Sequence, residues 1–192
     1  MREELHMKGK GGEKVTARSY VLWFTGLSGA GKSTLANEMH AMYQARGLNS
    51  YVLDGDRLRS SLNRDLGYTP NDRAENIRRA GEVAKILTEA GVIVMAAFIS
   101  PYKRDREMIR QMFAAGTFIE VYVQCPLQIC EARDPKGLYK LARAGTISDF
   151  TGISSEYEAP EHPEVVVTAD HMSIPASVDH IVAYLKQRRL LS

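Results

Sequence analysis

The sequence has little cysteine, no excess of either charge and no long apolar run, and each shortage excludes a class of protein. Only Cys125 and Cys130 occur in 192 residues, without metal-ligand spacing and too few for a disulfide framework. Reduced thiols of this kind predict a cytoplasmic location. Twenty-five basic residues nearly balance 23 acidic ones, so nucleic acid is not an expected partner. The longest apolar run, residues 92–99, is too short to cross a bilayer, so no membrane association is expected.

The chain length predicts one domain with a short leader. Residues 1–19 combine mixed charges with glycines and lack the apolar core of a signal peptide, so we predict a flexible leader there. Residues 20–192 are long enough for a single domain. Within this domain, residues 134–163 are rich in basic, glycine, proline and aromatic residues. The segment is longer than an ordinary connection between elements, which indicates a mobile lid.

Short apolar segments alternate with helical patterns along the domain. Strands separated by helices are typical of right-handed βαβ units, in which a parallel sheet lies between two helical layers. Asp72 and Glu75 have the spacing of a capping box and predict the start of one helix. The pattern predicts a three-layer α/β fold with five parallel strands, at 20–24, 50–53, 92–98, 118–123 and 165–167, and helices at 33–46, 72–91, 103–115 and about 175–190, with another opened by Pro126.

Residues 26–33 read Gly-Leu-Ser-Gly-Ala-Gly-Lys-Ser and match the phosphate-binding P-loop pattern G-x-x-x-x-G-K-[ST]. The motif lies between an apolar strand and a helix start, which is the context that it requires. Glycines let backbone N–H groups approach phosphate oxygens, and the helix N-terminus adds a positive dipole end. We expect Lys32 to reach the β- and γ-phosphates, Ser33 to bind Mg²⁺ and Thr34 to contact an adjacent phosphate. The predicted nucleotide-binding residues are Gly26, Leu27, Ser28, Gly29, Ala30, Gly31, Lys32, Ser33 and Thr34.

Two carboxylates, Asp54 and Asp56, follow the second predicted strand on either side of a glycine. Ligands of parallel sheets bind at the carboxyl ends of the strands, so both carboxylates are expected to face the P-loop. One can hold Mg²⁺ and the other can orient or accept the proton of an acceptor hydroxyl. We assign Asp54 to the metal together with Ser33, but the sequence leaves open which carboxylate is the base.

Further candidates follow the next two elements. Arg73 and Asn76 are three residues apart and share a helix face, where an arginine fork suits sulfate or phosphate and an amide can read adenine or ribose. Phe98 ends the third predicted strand and Ser100 follows it; an aromatic ring there can stack on adenine, although core packing explains Phe98 equally well. The sequence lacks the Asn-Lys-x-Asp guanine reader of GTPases, so these features favour a small kinase.

At these residues the sequence resembles the adenylylsulfate kinase family, from about residue 20 to 190. The most specific segments are Phe-Ile-Ser-Pro-Tyr at 98–102 and Asp-Pro-Lys-Gly-Leu-Tyr at 134–139. The resemblance implies a P-loop kinase that transfers the γ-phosphoryl group of ATP to the 3′-hydroxyl of adenosine 5′-phosphosulfate (APS), with ATP and Mg²⁺ as cofactors. The products are ADP and 3′-phosphoadenylylsulfate (PAPS), the activated sulfate donor.

The resemblance also implies roles for individual residues. Phe98 and Phe150 correspond to the two faces of an adenine sandwich, and Arg133 corresponds to a contact with the adenine of ATP. Family descriptions name the Ser100 position as a phosphoserine intermediate, although positioning and charge neutralisation suffice for direct transfer. The implied catalytic residues are Lys32, Asp54, Asp56 and Ser100, and the implied APS-site residues are Asp56, Arg59, Tyr68, Arg73, Asn76, Phe98, Ile99, Ser100, Lys136 and Phe150.

The lid region gains a role from this resemblance. Its cations would be attracted to the bound anions, so closure would be favoured only with substrates present and would exclude water. Those cations are Arg133, Lys136, Lys140 and Arg143. Three positions depart from the usual family pattern, and none of them carries an assigned group: Arg57, Gln124 and Leu141.

The resemblance leaves the assembly and two alternatives to be tested. Family members are commonly homodimers, and association or fusion with ATP sulfurylase is a further expectation. Another small P-loop kinase, for nucleosides or sugars, would lack the segments at 98–102 and 136–139. A non-catalytic nucleotide-binding module, such as a regulatory domain fused to ATP sulfurylase, would be expected to have lost Lys32, Ser33, Asp54 or Asp56, and all four are present.

Overall fold

The computed structural model describes residues 19–191, so the leader expected at 1–19 lies outside the described residues except for Ser19. Five strands form one parallel sheet in the order β2-β3-β1-β4-β5, which confirms the predicted α/β fold. The strands are β1 (Val21–Thr25), β2 (Ser50–Asp54), β3 (Ile93–Ala97), β4 (Phe118–Gln124) and β5 (Val165–Thr168). The helices are α1 (Lys32–Ala45), α2 (Gly55–Arg59), α3 (Pro70–Glu89), α4 (Lys103–Arg110), α5 (Leu127–Arg133), α6 (Leu138–Arg143) and α7 (Ile174–Gln187).

The sheet separates two apolar cores because successive residues of its central strands point to opposite faces. In β1, Leu22 and Phe24 belong to the core that contains residues of α1 and α7. Val21 and Trp23 belong to the core that contains residues of α3 and α4. Every residue of β1 and β3 is buried, as expected for strands covered on both faces, which is why these strands are apolar without polar alternation.

Helix α3 begins with a different cap from the one predicted. Thr69 is the N-cap: its hydroxyl accepts the backbone N–H of Asp72 at 3.2 Å, and the Asp72 carboxylate accepts the N–H of Thr69 at 3.3 Å. The predicted Asp72–Glu75 box is therefore wrong, because Asp72 closes a box that Thr69 opens. The Glu75 carboxylate instead accepts a hydrogen bond from Arg78 at 2.7 Å.

Residues 134–163 are more ordered in secondary structure than a plain connection would be. They contain α6, and Tyr139 and Phe150 are buried in the core beside α1. The Tyr139 hydroxyl donates to the carbonyl of Ser28 in the P-loop at 2.9 Å. The composition of this segment predicted a loop, because composition does not reveal that its aromatic residues are buried. Movement of this segment as a lid stays a prediction.

The remaining differences from the predicted elements are small. The short helix α2 has no apolar periodicity that would predict it. Helix α4 ends at Arg110 rather than near residue 115, and two turns, the second containing Gly116 at φ +78°, lead from it to β4. The carboxyl ends of the parallel neighbours β1, β2 and β3 lie at one edge of the sheet. Within residues 19–191 the structure contains no helix that is long and apolar enough to span a membrane.

Candidate active site

The P-loop turn between β1 and α1 depends on glycine at two positions. Gly26 has φ +149°, and a Cβ atom there would lie 2.5 Å from the carbonyl oxygen of Val123 in β4. Gly31 has φ +106° and is the N-cap of α1. Because a side chain would be strained at both positions, glycine lets the turn lie close against the sheet. The turn ends at the first residues of α1, and Lys32 and Ser33 both line a cavity there.

Lys32 is the buried cation of this turn. Its side chain is enclosed, with 8% of the residue exposed, and its Nζ donates to the carbonyl of Leu27 at 2.8 Å. Burial lowers the pKa of the Lys32 ammonium to about 8, because removal from water disfavours the charged form. The nearby carboxylates of Asp54 and Asp56 raise this pKa but do not offset the burial. A phosphate bound beside Nζ would favour the protonated form further.

Ser33 and Asp54 meet directly between the P-loop and the end of β2. The Ser33 hydroxyl donates to Oδ2 of Asp54 at 2.7 Å. The other oxygen of Asp54 accepts the backbone N–H of Asp56 at 2.9 Å and so caps α2. Asp54 is therefore held with one carboxylate oxygen next to a hydroxyl, and hydroxyl and carboxylate oxygens are ligands that Mg²⁺ accepts.

Asp56 lies one residue further along and faces a different partner. Its carboxylate forms an ion pair with Lys136, which precedes α6. Both side chains are largely exposed to solvent, at 71% for Asp56 and 52% for Lys136. An exposed ion pair of this kind is weak and easily exchanged. The Asp56 carboxylate is therefore available to an incoming ligand once Lys136 moves to another anion.

One cavity of about 330 Å³ collects most of the predicted site residues, and this volume is within the range of small-molecule sites. It extends from the P-loop across the carboxyl ends of β2 and β3 to α3 and the segment around Phe150. The predicted residues that line it are Ser28, Gly29, Gly31, Lys32, Ser33, Thr34, Asp54, Asp56, Arg59, Tyr68, Arg73, Asn76, Phe98, Ile99, Ser100, Lys136 and Phe150. The predicted residues outside its lining are Gly26, Leu27, Ala30 and Arg133.

Arg133 lies behind the P-loop. Its guanidinium donates to the carbonyl of Ala169 at 2.7 Å and approaches the carbonyl of Gly29 at 3.4 Å. These contacts fasten the end of α5 to the P-loop and to the residue after β5. A contact of Arg133 with the adenine of ATP stays a prediction. Arg143, another of the predicted lid cations, pairs instead with Glu131 at 2.8 Å.

Arg73 joins α3 to the segment after α6. Its Nε donates to the carbonyl of Tyr68 at 2.9 Å, and one terminal nitrogen donates to the hydroxyl of Thr151 at 2.7 Å. The other terminal nitrogen donates to the carbonyl of Asp149. The guanidinium is thus fixed in place before any ligand arrives, at the wall of the cavity.

Two further side chains on this wall are held by neighbours. Asn76 accepts a hydrogen bond from the fully buried Asn63 at 2.9 Å, so one end of its amide is occupied and the other is open to a ligand. Arg59 donates to the carbonyl of Gly67 at 2.8 Å and lies over the ring of Tyr68, 4.4 Å from its centroid. The wall is therefore cationic and amide-bearing, as recognition of an anionic nucleotide requires.

The two predicted adenine-stacking rings both line the cavity, and each is packed on a second ring. Phe98 stacks on Trp23 with centroids 5.0 Å apart and an interplanar angle of 15°. Phe150 meets Tyr139 edge to face at 5.0 Å. The rings are thus preoriented by the core. Both explanations of Phe98, core packing and a ligand surface, are consistent with its position.

Ser100 is buried at the end of β3 and its hydroxyl is already engaged. It donates to the hydroxyl of Thr25 at 2.9 Å and accepts from Nε1 of Trp23 at 3.1 Å. Neither neighbour is a base that could activate a nucleophile. The residue has φ +40°, a rare backbone conformation for an L-amino acid.

Comparison with known proteins decides the family. A family model described as adenylylsulphate kinase matches residues 18–168. The chain belongs to the adenylylsulphate kinase family. An adenylyl-sulfate kinase of Marinobacter nauticus is 54% identical over 171 residues, which are 89% of this chain and 86% of that relative.

Solved structures of the family agree in fold. The APS kinase CysC of Mycobacterium tuberculosis, in complex with AMPPNP and APS, has a TM-score of 0.85 and 44% identity, over 88% of this chain and 98% of that chain. A hexameric APS kinase from Thiobacillus denitrificans has a TM-score of 0.69 and 31% identity, over 92% of this chain and 31% of that longer chain.

Family membership sets aside the two alternatives considered from the sequence. The chain is a member of a kinase family with a defined acceptor, and not another small kinase for nucleosides or sugars. A non-catalytic nucleotide-binding module is disfavoured as well. Lys32, Ser33, Asp54 and Asp56 are all present and line one cavity of this adenylylsulphate kinase.

Sequence reasoning missed several residues of the site. Leu138 and Thr151 line the cavity from the segment after α5. Thr25 and Arg106 lie behind it, buried and hydrogen-bonded to Ser100. A charged residue in a helix rich in charges, such as Arg106 in α4, carries no sequence signal of burial. Only the fold shows that it points inward.

Proposed function

We propose how this kinase moves the γ-phosphoryl group of ATP to the 3′-hydroxyl of APS, giving ADP and PAPS. The observation that carries the proposal is the shared cavity, in which a P-loop and two carboxylates lie opposite a wall of arginine and amide groups. Phosphoryl transfer needs this arrangement because positioning and charge stabilisation supply most of the catalysis.

The P-loop would bind the phosphates of ATP. Backbone N–H groups at the start of α1 and the dipole of that helix favour an anion there. Lys32 would exchange its contact with the Leu27 carbonyl for the β- and γ-phosphates and stabilise the charge that develops on the transferred group. Ser28, Gly29 and Thr34 line the same end of the cavity and would contact adjacent phosphate oxygens.

Mg²⁺ fits the pair formed by Ser33 and Asp54. Their oxygens lie 2.7 Å apart, and both are hard donors of the kind that Mg²⁺ prefers together with phosphate and water. When bound there, the ion neutralises charge on the phosphates. One carboxylate oxygen of Asp54 caps α2, which holds the other oxygen beside the Ser33 hydroxyl. We therefore assign Asp54 to the metal and Asp56 to the acceptor.

Asp56 would orient the 3′-hydroxyl of APS and accept its proton. In the structure its carboxylate is paired with Lys136, and APS carries sulfate and phosphate groups that Lys136 can bind instead. The exchange would free Asp56 at the moment when the acceptor arrives. The same exchange supports movement of the segment containing Lys136 as a lid that excludes water.

The APS site would occupy the opposite wall. Arg59 and Arg73 supply fixed cations, Asn76 supplies an amide, and Tyr68 and Ile99 border the space between them. Phe98 and Phe150 would hold the adenine of APS between their rings. Because the hydroxyl of Ser100 is engaged by Thr25 and Trp23, we assign it to ligand binding and backbone placement, and the transfer to a single direct step.

The assembly and the cellular location are also proposals. We infer a homodimer from the family resemblance, with association with ATP sulfurylase as a further expectation; the hexameric relative is a longer chain. Sedimentation equilibrium of the purified chain tests the dimer.

A cytoplasmic location is supported by two free, buried cysteines. Burial raises the pKa of Cys130 to about 12, so its thiol stays protonated.

The reaction is tested by incubating the protein with ATP, Mg²⁺ and APS and separating the nucleotides by chromatography. Equal amounts of ADP and PAPS are expected, and both must be absent when APS is omitted. The control acceptor is adenosine 5′-phosphate, which lacks the sulfate. ATP hydrolysis that APS does not change, with no 3′-phosphorylated product, would refute the proposal.

A further inference from the structure

The turn after β3 is strained and must be held by its surroundings. Ser100 has φ +40° without being glycine, and it is buried. Backbone conformations of this kind persist only where neighbouring groups determine them. Ser100 lines the cavity with Phe98 and Ile99, so its conformation sets how all three face a ligand.

A buried arginine from α4 holds this turn from behind. One terminal nitrogen of Arg106 donates to the carbonyl of Ser100 at 2.7 Å, and the other donates to the carbonyl of Glu158 at 2.7 Å. Its Nε lies 2.8 Å from the carboxylate of Glu120 in β4. Only 4% of the Arg106 side chain is exposed, and it is not part of the cavity lining. The guanidinium thus donates to two carbonyls and forms an ion pair with one carboxylate within the protein.

The buried ion pair is better explained by geometry than by stability. The Glu120 side chain is 8% exposed, so both charges are removed from water. Buried ion pairs contribute little net stability, and their best-supported use is to specify one arrangement. A planar fork can bind two carbonyls and a carboxylate at once, whereas a lysine ammonium on its flexible stem cannot reproduce that geometry.

We propose that Arg106 is a positioning residue for the acceptor: it fixes the strained Ser100 turn, and through Glu158 it ties that turn to the end of the lid region. This inference rests on the proposed function for the identity of the acceptor. Arg106 acts through Ser100 and touches no substrate. Its loss should therefore weaken use of APS and leave the P-loop end of the cavity unchanged.

The chain supplies a matched control in Arg110, on the same helix. Arg110 shares the partner Glu120 at 3.1 Å and also binds Glu164 at 2.6 Å, and neither partner lines the cavity. Removing Arg110 disturbs the same buried carboxylate without releasing Ser100. A purely structural role for this charge cluster would make the two arginines equivalent.

The sequence also supplies a built-in reporter. Trp23 is the only tryptophan of the chain; it is fully buried, donates to the Ser100 hydroxyl at 3.1 Å and stacks on Phe98. Its fluorescence therefore responds to displacement of the turn after β3. This signal is independent of any activity.

The experiment compares the full chain carrying Arg106→Gln, Arg106→Lys or Arg110→Gln by KM for APS, KM for ATP, kcat and Trp23 emission. For Arg106→Gln we expect the KM for APS to rise about tenfold or more, with the KM for ATP within about twofold, because small displacements at a positioned site have large effects. Arg106→Lys should lie between this variant and wild type. Arg110→Gln should keep wild-type kinetic constants, whereas Arg106→Gln should also shift the Trp23 emission. Emission is compared only between Arg106 variants and wild type, because Arg110 lies over the ring of Phe118, which stacks on Trp23.

Several results would overturn the assignment. Unchanged APS kinetics and unchanged emission in folded Arg106→Gln would remove it, and so would equal effects of Arg106→Gln and Arg110→Gln on the KM for APS. If Arg106→Gln does not fold, Arg106→Lys and Glu120→Gln are judged by the same criteria. Wild-type protein that makes no PAPS would refute the proposed function, while the emission of Arg106→Gln relative to wild type would still decide whether Arg106 holds the turn.

Discussion

The two ends of the cavity are built in different ways. The end to which we assign ATP, the ATP end, is a local structure: one continuous turn, residues 26–33, supplies the glycines, the lysine and the hydroxyl. The end to which we assign the acceptor, the APS end, is assembled from distant segments, with Arg73 in α3 bonded to Thr151, and Asp56 after β2 paired with Lys136. One end depends on backbone conformation and the other on side chains that cross between elements.

This difference implies different sensitivity to substitution. The P-loop is most sensitive to changes in its own residues, because its glycines set its shape; only two side chains among the described residues outside the loop are shown bonding to its carbonyls at Ser28 and Gly29, those of Tyr139 and Arg133. The acceptor wall can be damaged from several places, because its arginines, Arg59 and Arg73, are held by carbonyls that belong to other segments. Variants of the first kind should affect ATP and kcat, and variants of the second kind should separate APS from ATP.

The largest effect is expected at the ATP end. Lys32→Ala removes the cation that stabilises the transferred group and should lower kcat/KM at least about a hundredfold. The matched control is Lys85→Ala, which changes a lysine on α3 that pairs only loosely with Glu89 at 3.8 Å. Steady-state PAPS formation measures both variants. A near-normal rate for Lys32→Ala would contradict the role of the P-loop lysine.

Asp56 lies where the two ends meet. Asp56→Asn keeps the size of the side chain but cannot accept a proton, so kcat should fall about a hundredfold with little change in the KM for ATP. Asp65→Asn, which alters an exposed carboxylate bound to Arg79, is the control. A fall in kcat after Asp54→Asn but not after Asp56→Asn would reverse the assignment of metal ligand and base.

At the acceptor wall, Arg73→Lys keeps the charge but loses the fork that contacts Tyr68, Asp149 and Thr151. The KM for APS should rise about tenfold, while the KM for ATP should stay within about twofold. Arg78→Lys serves as the control, since Arg78 lies on the same helix and pairs with Glu75 at the surface. Equal changes for both substrates would show that the two ends are not separable.

The smallest effect concerns pH at the ATP end. Lys32 has a pKa lowered to about 8 by burial, so the free protein loses this cation as the pH rises through that value, while phosphate favours the charged form. The Kd for ATP should therefore be constant at lower pH and rise about fourfold between pH 7 and pH 8.5. Calorimetry without APS measures it. A Kd that does not change with pH, or that falls, would contradict the buried, titrating lysine.

The fold and the ATP end were accessible from the sequence because both depend on local patterns. The five strands are short apolar segments between helices, and residues 26–33 form a continuous motif. The N-cap of α3 could not be predicted from the sequence, because Thr69 and Asp72 have the same capping-box spacing as Asp72 and Glu75. Choosing between overlapping boxes requires knowing where the helix begins.

The acceptor end was accessible mainly through the family resemblance. The spacing of Arg73 and Asn76 placed them on one helix face, but nothing local indicated the contacts with Thr151 and Asn63. Burial of Arg106 was also invisible, since α4 is rich in charged residues that look solvated. Contacts between segments distant in sequence arise only from the fold, and they make up most of this wall.

Stereochemistry at phosphorus tests direct transfer between the two ends of the cavity most closely. The substrate is ATP made chiral at the γ-phosphorus with oxygen isotopes and sulfur, and the configuration of the transferred group in PAPS is measured. A single in-line displacement from the P-loop to the acceptor predicts inversion. Retention would require an even number of displacements, and with it a phosphorylated enzyme such as one at Ser100, which would contradict direct transfer.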